Sequence, residues 1–278
     1  MIEQNKEYCI FCSNYTFGDV FEYTSPPKGE TSFAFVEPSK YHRKIIACKL
    51  CGHNYSTHQM DLSILYSGDY VNSTYNDAEG MKRTFERIIS LEQSKSDNNG
   101  RCNRVESFLR SYYIGRDSAS LKVLDVGSGL GIFPYEMAKR GYLVTALDPD
   151  PRAVEHICKN ARVPVLHGDF FKVNLSECYD LITFNKVLEH IKNPIEMLQR
   201  SKSFLKKKGI VYVELPDGEM AHHYGPDREE FSIDHLHVFS FVSVAMLANR
   251  AGLTPLIVER LQEPSSKFTI RLMAQYNS

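Results

Sequence analysis

The clearest hydrophobic pattern of the chain lies in residues 121–151, LKVLDVGSGLGIFPYEMAKRGYLVTALDPDP. The apolar run at 122–126 predicts a short buried strand, and the glycine-rich turn after it is followed by apolar positions at helical spacing over 132–140. Gly141 ends that helix, and residues 143–147 form a second apolar strand. A strand, a turn, a helix and a further strand in this order are typical of a parallel α/β sheet.

Two more stretches with helical spacing lie upstream, at 81–91 and 103–113, with the polar sequence SKSDNNG between them. They follow LYSGDYVNSTYND at 65–77, a segment rich in Tyr, Ser, Asn and Asp whose tyrosines could contact a ligand, although packing explains them as well. We therefore interpret 67–118 as a helical connector or lid, and 119–278 as the α/β domain.

Four of the seven cysteines form two C-x-x-C pairs near the N-terminus: Cys9 with Cys12, and Cys48 with Cys51. Two such pairs can supply four thiolates in a tetrahedron, which is the geometry of a structural zinc ion. The insert between the pairs holds a turn at 26–29 and the alternating stretch TSFAFV, which together predict a hairpin. We predict a zinc ribbon over 1–66. Alternative ligands are its histidines, His42, His53 and His58.

Composition narrows the classes of function. The chain of 278 residues is 42% hydrophobic and 24% charged, which is ordinary for an ordered globular protein. Its 33 Lys and Arg against 34 Asp and Glu are evenly spread, with 6 and 7 in 1–66, 8 and 8 in 67–118, and 19 and 19 in 119–278. A binding partner held mainly by its phosphates needs a basic excess, so nucleic acid is disfavoured.

The sequence also indicates a compartment. The N-terminus MIEQNKEYC has no apolar run after a basic start, and no stretch is long and apolar enough to span a bilayer. An odd number of cysteines without an export signal favours a reducing environment. We expect a cytoplasmic protein, and the sequence indicates no oligomeric state.

The glycine turn indicates what the α/β domain binds. Glycine stands at its first, third and fifth positions: Gly127, Gly129 and Gly131. A dinucleotide-binding turn needs its third glycine one position later, where this chain has Ile132. Asp125 precedes the turn by two residues and would bind an ammonium group but repel a pyrophosphate, while Asp148 ends the second strand, where an acid can hold ribose hydroxyls. The pattern favours a zwitterionic nucleoside over a dinucleotide.

At these residues the sequence resembles the class I S-adenosylmethionine-dependent methyltransferases. The stretch VLDVGSGLG looks like their first motif, and ALDPD resembles the strand end whose acid, here Asp148, holds both ribose hydroxyls. The resemblance covers about 119–278. It implies an α/β fold with a Rossmann-like seven-stranded methyltransferase sheet, and S-adenosylmethionine as the cofactor.

Further motifs of this family follow in order. HGDF at 167–170 looks like the adenine-binding step, which implies Asp169 near the exocyclic amine and Phe170 against the ring. YDLITFNKVLEHIKNP at 179–194 resembles the fourth strand and the helix after it, with Asn185 lining the cofactor. FLKKKGIVYVELPD, AGLTPLIVERL and KFTIRLMAQ match the last three strands. The residues that the resemblance implies for cofactor binding are Asp125, Gly127, Gly129, Gly131, Asp148, Pro149, Asp169, Phe170, Asn185, Lys186 and Glu189.

The acceptor is harder to predict. The Asn/Asp-Pro-Pro-Tyr motif of amino-group methyltransferases is replaced by NKVL at 185–188, and NKVLEHIKNP resembles enzymes that act on small molecules. The ribbon followed by LYSGDY looks like a group that methylates nucleotide sugars and glycan precursors. Its C-methyltransferases carry Tyr-His-Glu-His where this chain has SIDH at 232–235, so hydroxyl methylation is expected at least as much as carbon methylation.

A sugar hydroxyl has a high pKa and benefits from a general base, for which histidine is suited near neutral pH. The segment after Pro216 is expected above the carboxyl ends of the strands and holds four histidines: His222, His223, His235 and His237. We favour His235 as the base, with Asp234 or Glu230 as its orienting partner. Asp217 and Glu189 are alternative bases, and a second metal bound by the histidines is a further alternative.

Two readings compete with a small-molecule methyltransferase. In the first, the chain is an RNA methyltransferase that binds its substrate with the ribbon, although the even charge distribution disfavours RNA binding. In the second, the chain is a non-catalytic partner protein that binds the cofactor and uses its ribbon for protein contacts. A dehydrogenase is disfavoured by the glycine spacing.

Overall fold

The computed structural model of the chain describes residues 8–31, 41–59, 75 and 77–276. All but the first residue of the TSFAFV stretch lies outside these ranges, and so does most of the Tyr-rich segment at 65–77. The predicted hairpin in the ribbon insert and the N-terminal part of the connector therefore remain predictions.

The N-terminal part forms an antiparallel sheet of three strands, β1 (Phe17–Tyr23), β2 (Arg43–Cys48) and β3 (Asn54–His58). The second C-x-x-C pair makes the turn from β2 to β3, with the N–H of Gly52 donating to the carbonyl of Cys48 at 2.9 Å. Gly52 has a φ of +71°, which glycine adopts without strain. The turn thereby places the second cysteine pair at one end of the sheet.

Two helices follow, α1 (Ala78–Ile89) and α2 (Asp97–Tyr112), near the positions that the helical spacing predicts. Side-chain oxygens of Asp77 and Ser96 cap their N-termini. Phe85 of α1 is buried beside Ala146 and Ile157, and α2 packs through three buried residues, Cys102, Val105 and Leu109. The connector helices therefore cover the α/β part.

The remaining chain alternates strands and helices. The strands are β4 (Lys122–Val126), β5 (Leu143–Asp148), β6 (Val165–His167), β7 (Tyr179–Asn185), β8 (Leu205–Pro216), β9 (His237–Val238), β10 (Thr254–Gln262) and β11 (Phe268–Gln275). The helices are α3 (Ile132–Lys139), α4 (Pro151–His156), α5 (Pro194–Arg200), α6 (Gly218–His222) and α7 (Phe241–Arg250).

Seven of these strands form one sheet in the order β10-β11-β8-β7-β4-β5-β6. Strands β4 to β8 pair in parallel, while β11 is antiparallel to both of its neighbours. The expected seven-stranded α/β sheet is confirmed. The strand order reverses between β4 and β7, and in open α/β sheets the crevice at the carboxyl ends of such strands binds ligands.

The ribbon and the α/β part pack closely together. Strand β9 joins the ribbon sheet by pairing with β3 at Asn54–Val238 and Tyr55–His237. Twenty residues of loop and short helix separate β9 from β8 in the chain. Phe11 of the first cysteine loop packs against Phe239 with ring centroids 5.7 Å apart. The ribbon therefore packs against the segment that contains the candidate base predicted from the sequence.

Among the residues that the structure describes, no helix has the length and apolar character needed to cross a membrane.

Candidate active site

The four cysteines of the ribbon lie together. Their sulfur atoms are all within 4.8 Å of one another, with Cys9 Sγ 3.6 Å from Cys51 Sγ and Cys12 Sγ 3.4 Å from Cys48 Sγ. Tetrahedral zinc with Zn–S bonds near 2.3 Å separates its sulfurs by about 3.8 Å. The arrangement therefore fits a structural zinc ion and leaves no open position for a substrate.

Polar groups around the cysteine cluster also suit thiolates. The Tyr55 hydroxyl donates to Cys9 Sγ at 3.3 Å, and Asn14 Nδ2 donates to Cys48 Sγ at 3.4 Å. Such donors stabilise negative charge on sulfur. Two of the three alternative ligands are occupied elsewhere, since His42 pairs with Glu22 on the surface and His53 is buried against His237 and Ser243.

The glycine turn runs from β4 to α3 with all three predicted glycines at positive φ: Gly127, Gly129 and Gly131. A Cβ on Gly127 would lie 2.7 Å from Val187 Cγ2, so that position admits only glycine. A Cβ on Gly129 would meet no protein atom within 4 Å, which shows that this peptide faces open space. The turn thus exposes backbone to a ligand at the carboxyl edge of β4.

Asp125 is buried at this edge and held by side chains of β7. Its Oδ1 accepts hydrogen bonds from Thr183 Oγ1 at 2.6 Å and from Asn185 Nδ2 at 2.7 Å. Burial raises the pKa of Asp125, and these two donors and Ser128 offset that rise in part. Asn185 Oδ1 is buried and has no hydrogen-bond partner in the described part of the chain. A buried carboxylate whose hydrogen bonds offset its burial only in part, beside an amide oxygen without a donor in the described residues, suits a cationic ligand.

Asp148, at the end of β5, is also buried and points at the glycine turn. Its Oδ2 accepts from the N–H of Gly129 at 2.8 Å and its Oδ1 from the N–H of Asp150 at 2.9 Å. Burial raises the pKa of Asp148 to about 6. The carbonyl of Pro149 is bound by His167 Nε2 at 3.0 Å, which fixes the backbone after Asp148. Asp148 is therefore placed to accept hydroxyl groups beside Gly129.

The next expected step of the cofactor site is at Asp169 and Phe170. Asp169 Oδ1 accepts from the N–H of Phe171 at 2.9 Å, and the side chain remains more than a third exposed. The ring of Phe170, in contrast, is buried between Phe184 and Phe204, with centroids 5.5 and 5.7 Å away. The structure thus places Phe170 in the core, which differs from the expectation of a ring exposed to adenine.

A cavity of about 290 Å³ lies next to this edge of the sheet. Its walls come from the ribbon loop at 27–31, from the turn after β7, and from residues between 227 and 235. Lys186, Glu189, His190 and His235 line it. A more open cavity of about 500 Å³ lies between α2 and the β10–β11 pair, away from the carboxyl ends of the parallel strands. The smaller cavity is therefore the candidate acceptor site.

His235 is the only one of the four predicted histidines that lines this cavity among the described residues. Its Nδ1 lies 2.8 Å from the carbonyl oxygen of Glu230. Since a carbonyl can only accept, Nδ1 carries the proton and Nε2 carries the lone pair in the neutral ring. The partner that orients His235 is therefore a backbone carbonyl and not a carboxylate.

The two carboxylates expected to orient His235 have other partners. Asp234 accepts from Ser232 Oγ at 2.5 Å and lies 3.5 Å from His190 Nδ1, while Glu230 pairs with Arg228. Burial raises the pKa of Asp234, but His235 and His190 with the Ser232 hydrogen bond outweigh it, so the pKa is below its ordinary value. Asp234 therefore contacts His190, while the charges of both His235 and His190 favour its ionised form.

Two of the other candidate histidines and the alternative base Asp217 make contacts outside the cavity. His222 stacks on Phe21, and His237 lies beneath the ribbon against His53. Asp217, an alternative base, is fully buried, caps α6 and pairs with Arg260.

Lys186 and Glu189, expected at the cofactor, line the acceptor cavity. Lys186 has a φ of +58° and donates its N–H to the carbonyl of Glu214 at 3.0 Å, and burial lowers the pKa of its ammonium group. Glu189 is buried, and its Oε2 has no hydrogen-bond partner in the part of the chain that is described. Glu189, His190 and His235 each bring one ligand atom within 4.8 Å of the others, so a cation remains an alternative occupant there.

Two residues of this site are not predicted from the sequence. The first is His190, although its position beside Glu189 in LEH is a signal that could have found it. The second is Glu214, which lies in the stretch FLKKKGIVYVELPD without a local signal, yet it is buried and binds Arg101 of α2, Arg271 and the hydroxyl of Tyr212. These contacts tie the connector to β8 beside Lys186.

Solved structures share the fold of the chain. Magnesium protoporphyrin IX methyltransferase from Synechocystis, solved with bound S-adenosylhomocysteine, is 15% identical, and the match covers 78% of this chain and 100% of that chain with a TM-score of 0.57. The 1,6-didemethyltoxoflavin-N1-methyltransferase of Burkholderia thailandensis is 16% identical, with 85% and 96% covered and a TM-score of 0.55. At this identity the likeness shows the fold alone.

The sequence relatives that the chain matches are named as methyltransferases. Ubiquinone biosynthesis O-methyltransferase of Pasteurella multocida is 31% identical over 37% of this chain and 51% of its own length. The protein of that name from Actinobacillus pleuropneumoniae is 34% identical over 37% and 50%. The chain spans about half the length of the curated relatives it matches.

A family model described as a methyltransferase domain matches residues 92–258, which is more than half of the chain and includes α2, both buried aspartates and the segment after β8. The match confirms the expectation of an enzyme and of the methyltransferase class. The chain belongs to the methyltransferase domain family.

Proposed function

We propose that this protein transfers the methyl group of S-adenosylmethionine to a hydroxyl oxygen of a small molecule. The observation that carries the proposal is the placement of Asp125, Gly129 and Asp148 at the carboxyl edge of β4 and β5, where Asp148 binds the N–H of Gly129 and a Cβ on Gly129 would meet open space. It supplies an anionic group for an ammonium, exposed backbone, and a second anionic group for hydroxyls.

Each of these residues has a defined part in holding the cofactor. The buried Asp125, with the unpartnered Asn185 Oδ1 beside it, would receive the cationic amino group. Asp148, already held by the N–H of Gly129, would accept two ribose hydroxyls. When bound, S-adenosylmethionine supplies a methyl group on a positively charged sulfur, which is open to attack by an oxygen lone pair.

The acceptor side supplies orientation and a base. His235 keeps Nδ1–H on the carbonyl of Glu230, so Nε2 can take the hydroxyl proton as the new C–O bond forms and the C–S bond breaks. The C–S electron pair stays on sulfur, and S-adenosylhomocysteine is the other product. Holding both reactants in line and excluding water supplies the rest of the rate.

The chemical class of the acceptor rests on different support. The relatives named above are O-methyltransferases of ubiquinone biosynthesis, which favours oxygen over carbon as the methylated atom. The nucleotide-sugar or glycan precursor expected from the ribbon and SIDH finds no support among these relatives. A nucleotide sugar remains one of the outcomes that the test distinguishes, and an apolar acceptor is the other.

We also propose that the ribbon holds one structural zinc ion through Cys9, Cys12, Cys48 and Cys51. The sulfur separations and the donors from Tyr55 and Asn14 support this assignment. The ion would stabilise a segment that has little apolar core of its own.

The test is transfer of radiolabelled methyl groups from S-adenosylmethionine into a fractionated cell extract, with and without ribonuclease. The proposal predicts label in small, ribonuclease-resistant material. Extraction into organic solvent would indicate an apolar acceptor, and retention on an anion exchanger would indicate a nucleotide sugar. Label released as nucleotides by ribonuclease would contradict a small-molecule acceptor and favour the RNA alternative.

A matched pair of variants tests the base. His235→Gln should lower kcat by about 10²- to 10⁴-fold, the usual contribution of a general base. His223→Gln alters an exposed histidine of the same segment outside the cavity and should leave kcat unchanged. Equal rates in the two variants would remove His235 from the mechanism.

A further inference from the structure

Glu30 and Arg43 of the ribbon form a buried ion pair next to the acceptor cavity. Arg43 Nη2 lies 3.1 Å from Glu30 Oε1, and the side chains are 0% and 3% exposed. We propose that this pair is a positioning device that holds residues 231–235, and with them His235, against the cavity. The inference rests on the proposed function for the role of His235.

The contacts of the pair reach the backbone just before His235. Arg43 Nη1 donates to the carbonyl of Phe231 at 2.5 Å, and Glu30 Oε1 accepts from the N–H of Ile233 at 3.0 Å. The N–H of His235 in turn donates to the carbonyl of Ser232 at 3.0 Å, inside the stretch that the pair clamps. One ion pair thereby fixes the backbone from which the histidine projects.

The pair is itself held in place by the ribbon. The Tyr41 hydroxyl donates to Glu30 Oε2 at 2.6 Å and accepts from Arg43 Nε at 3.2 Å. The Arg43 guanidinium lies over the ring of Tyr23, 4.2 Å from its centroid. A planar guanidinium fixed on three sides gives its donors a defined direction, which a lysine could not supply.

Stability alone does not explain this arrangement. Burying two charges is costly, and apolar residues of similar size commonly stabilise a fold as well as a buried ion pair does. Apolar residues could not, however, bond the carbonyl of Phe231 or the N–H of Ile233, which would lose these partners. The pair therefore specifies the conformation of the segment.

The ribbon also forms part of the acceptor cavity beside this clamp. Residues 27–31, which include Glu30, line the cavity together with His235 and Asp234. Glu30 belongs both to this wall and to the ion pair with Arg43 of β2, so the ribbon and the candidate base are positioned together. The ribbon is thereby assigned a role in catalysis as well as in folding.

The decisive variant replaces both partners, Glu30→Met with Arg43→Met, because removing one alone leaves a buried unpaired charge that can unfold the protein. We expect amide hydrogen exchange at Ile233 and His235 to rise at least tenfold, while exchange in β4 is unchanged. We expect kcat to fall at least tenfold, with an unchanged KM for S-adenosylmethionine. Arg43→Lys should show the same changes in part.

The matched control is Glu22→Gln, in the same ribbon sheet. Glu22 pairs with His42 at 2.8 Å, but both side chains are more than half exposed. This variant should exchange and turn over as the unaltered protein does.

Unchanged exchange at Ile233 and His235 in the double variant would overturn the proposal. Raised exchange with an unaltered kcat would also overturn it, since the segment would then need no anchor. The exchange measurement requires no acceptor, so it decides the anchoring even where the unaltered protein transfers no methyl group. That last result would count against the proposed function alone.

Discussion

Replacing Gly129 by alanine tests whether the glycine turn holds the cofactor. Gly129 has a φ of +52°, and a Cβ added there would meet no protein atom within 4 Å. Alanine therefore causes no clash within the protein, and its methyl group would project into the space assigned to the cofactor. The substitution separates a backbone effect from a ligand effect.

The backbone effect can be matched by a control. Gly115 has a φ of +79°, its added Cβ would also meet nothing, and it lies outside both proposed sites. A left-handed conformation costs a residue with a Cβ about 1–2 kcal/mol, so both variants should lose stability by that amount. Only Gly129→Ala should weaken cofactor binding, by tenfold or more, which corresponds to about 1.4 kcal/mol.

Urea denaturation gives the free energy of unfolding of each variant, and isothermal titration gives the affinity for S-adenosylhomocysteine. The expected result is equal destabilisation with weakened binding in Gly129→Ala alone. If Gly129→Ala binds S-adenosylhomocysteine as tightly as Gly115→Ala does, the turn does not contact the cofactor and the assigned geometry is wrong.

Three further predictions concern charge and metal. Burial in the ligand-free folded protein raises the pKa of Asp148 from 3.8 to about 6. The ionised carboxylate therefore opposes folding, and the stability that the protonated group contributes is lost as the pH rises through 6. Asp148→Asn should therefore be more stable than the unaltered protein and should lose S-adenosylhomocysteine binding. In urea denaturation, its gain in unfolding free energy should be about 1.4 kcal/mol larger at pH 8 than at pH 5. A gain that does not change with pH would refute this. Cys48→Ser, or treatment with a strong chelator, should release one zinc ion per chain by elemental analysis and lower Tm, whereas Cys158→Ser, at an exposed cysteine, should do neither. Arg101→Met leaves Glu214 with fewer partners in a buried network and should cost about 3–5 kcal/mol of unfolding free energy, against no more than about 1 kcal/mol for Arg110→Met at an exposed pair.

Local sequence signals predicted the α/β domain well because its elements are marked by short-range chemistry. The glycine turn needs positive φ at three positions, and the apolar runs of β4, β5 and β7 are strands buried on both faces. The position of β9 could not be predicted in this way. Two residues, His237 and Val238, become a strand only because β3 offers them an edge, and that contact joins residues far apart in the chain.

The residues of the candidate site also differ in whether the sequence alone could predict their roles. Asp125 and Asp148 follow strand ends, so their convergence could be predicted from the sheet alone. The role of Glu230 could not, because its backbone carbonyl and not its carboxylate holds His235. Phe170 was predicted at the ligand, but its ring fills the core beside Phe184 and Phe204, and no local pattern distinguishes the two environments.

The central claim is that the edge formed by Asp125, Gly129 and Asp148 binds S-adenosylmethionine. The most direct test is isothermal titration of the purified chain with S-adenosylhomocysteine, with NADH as the competing ligand and Asp125→Asn as the altered site. The account predicts one S-adenosylhomocysteine per chain, affinity lowered at least tenfold in the variant, and no binding of NADH. Binding of NADH, or S-adenosylhomocysteine affinity unchanged in Asp125→Asn, would contradict it.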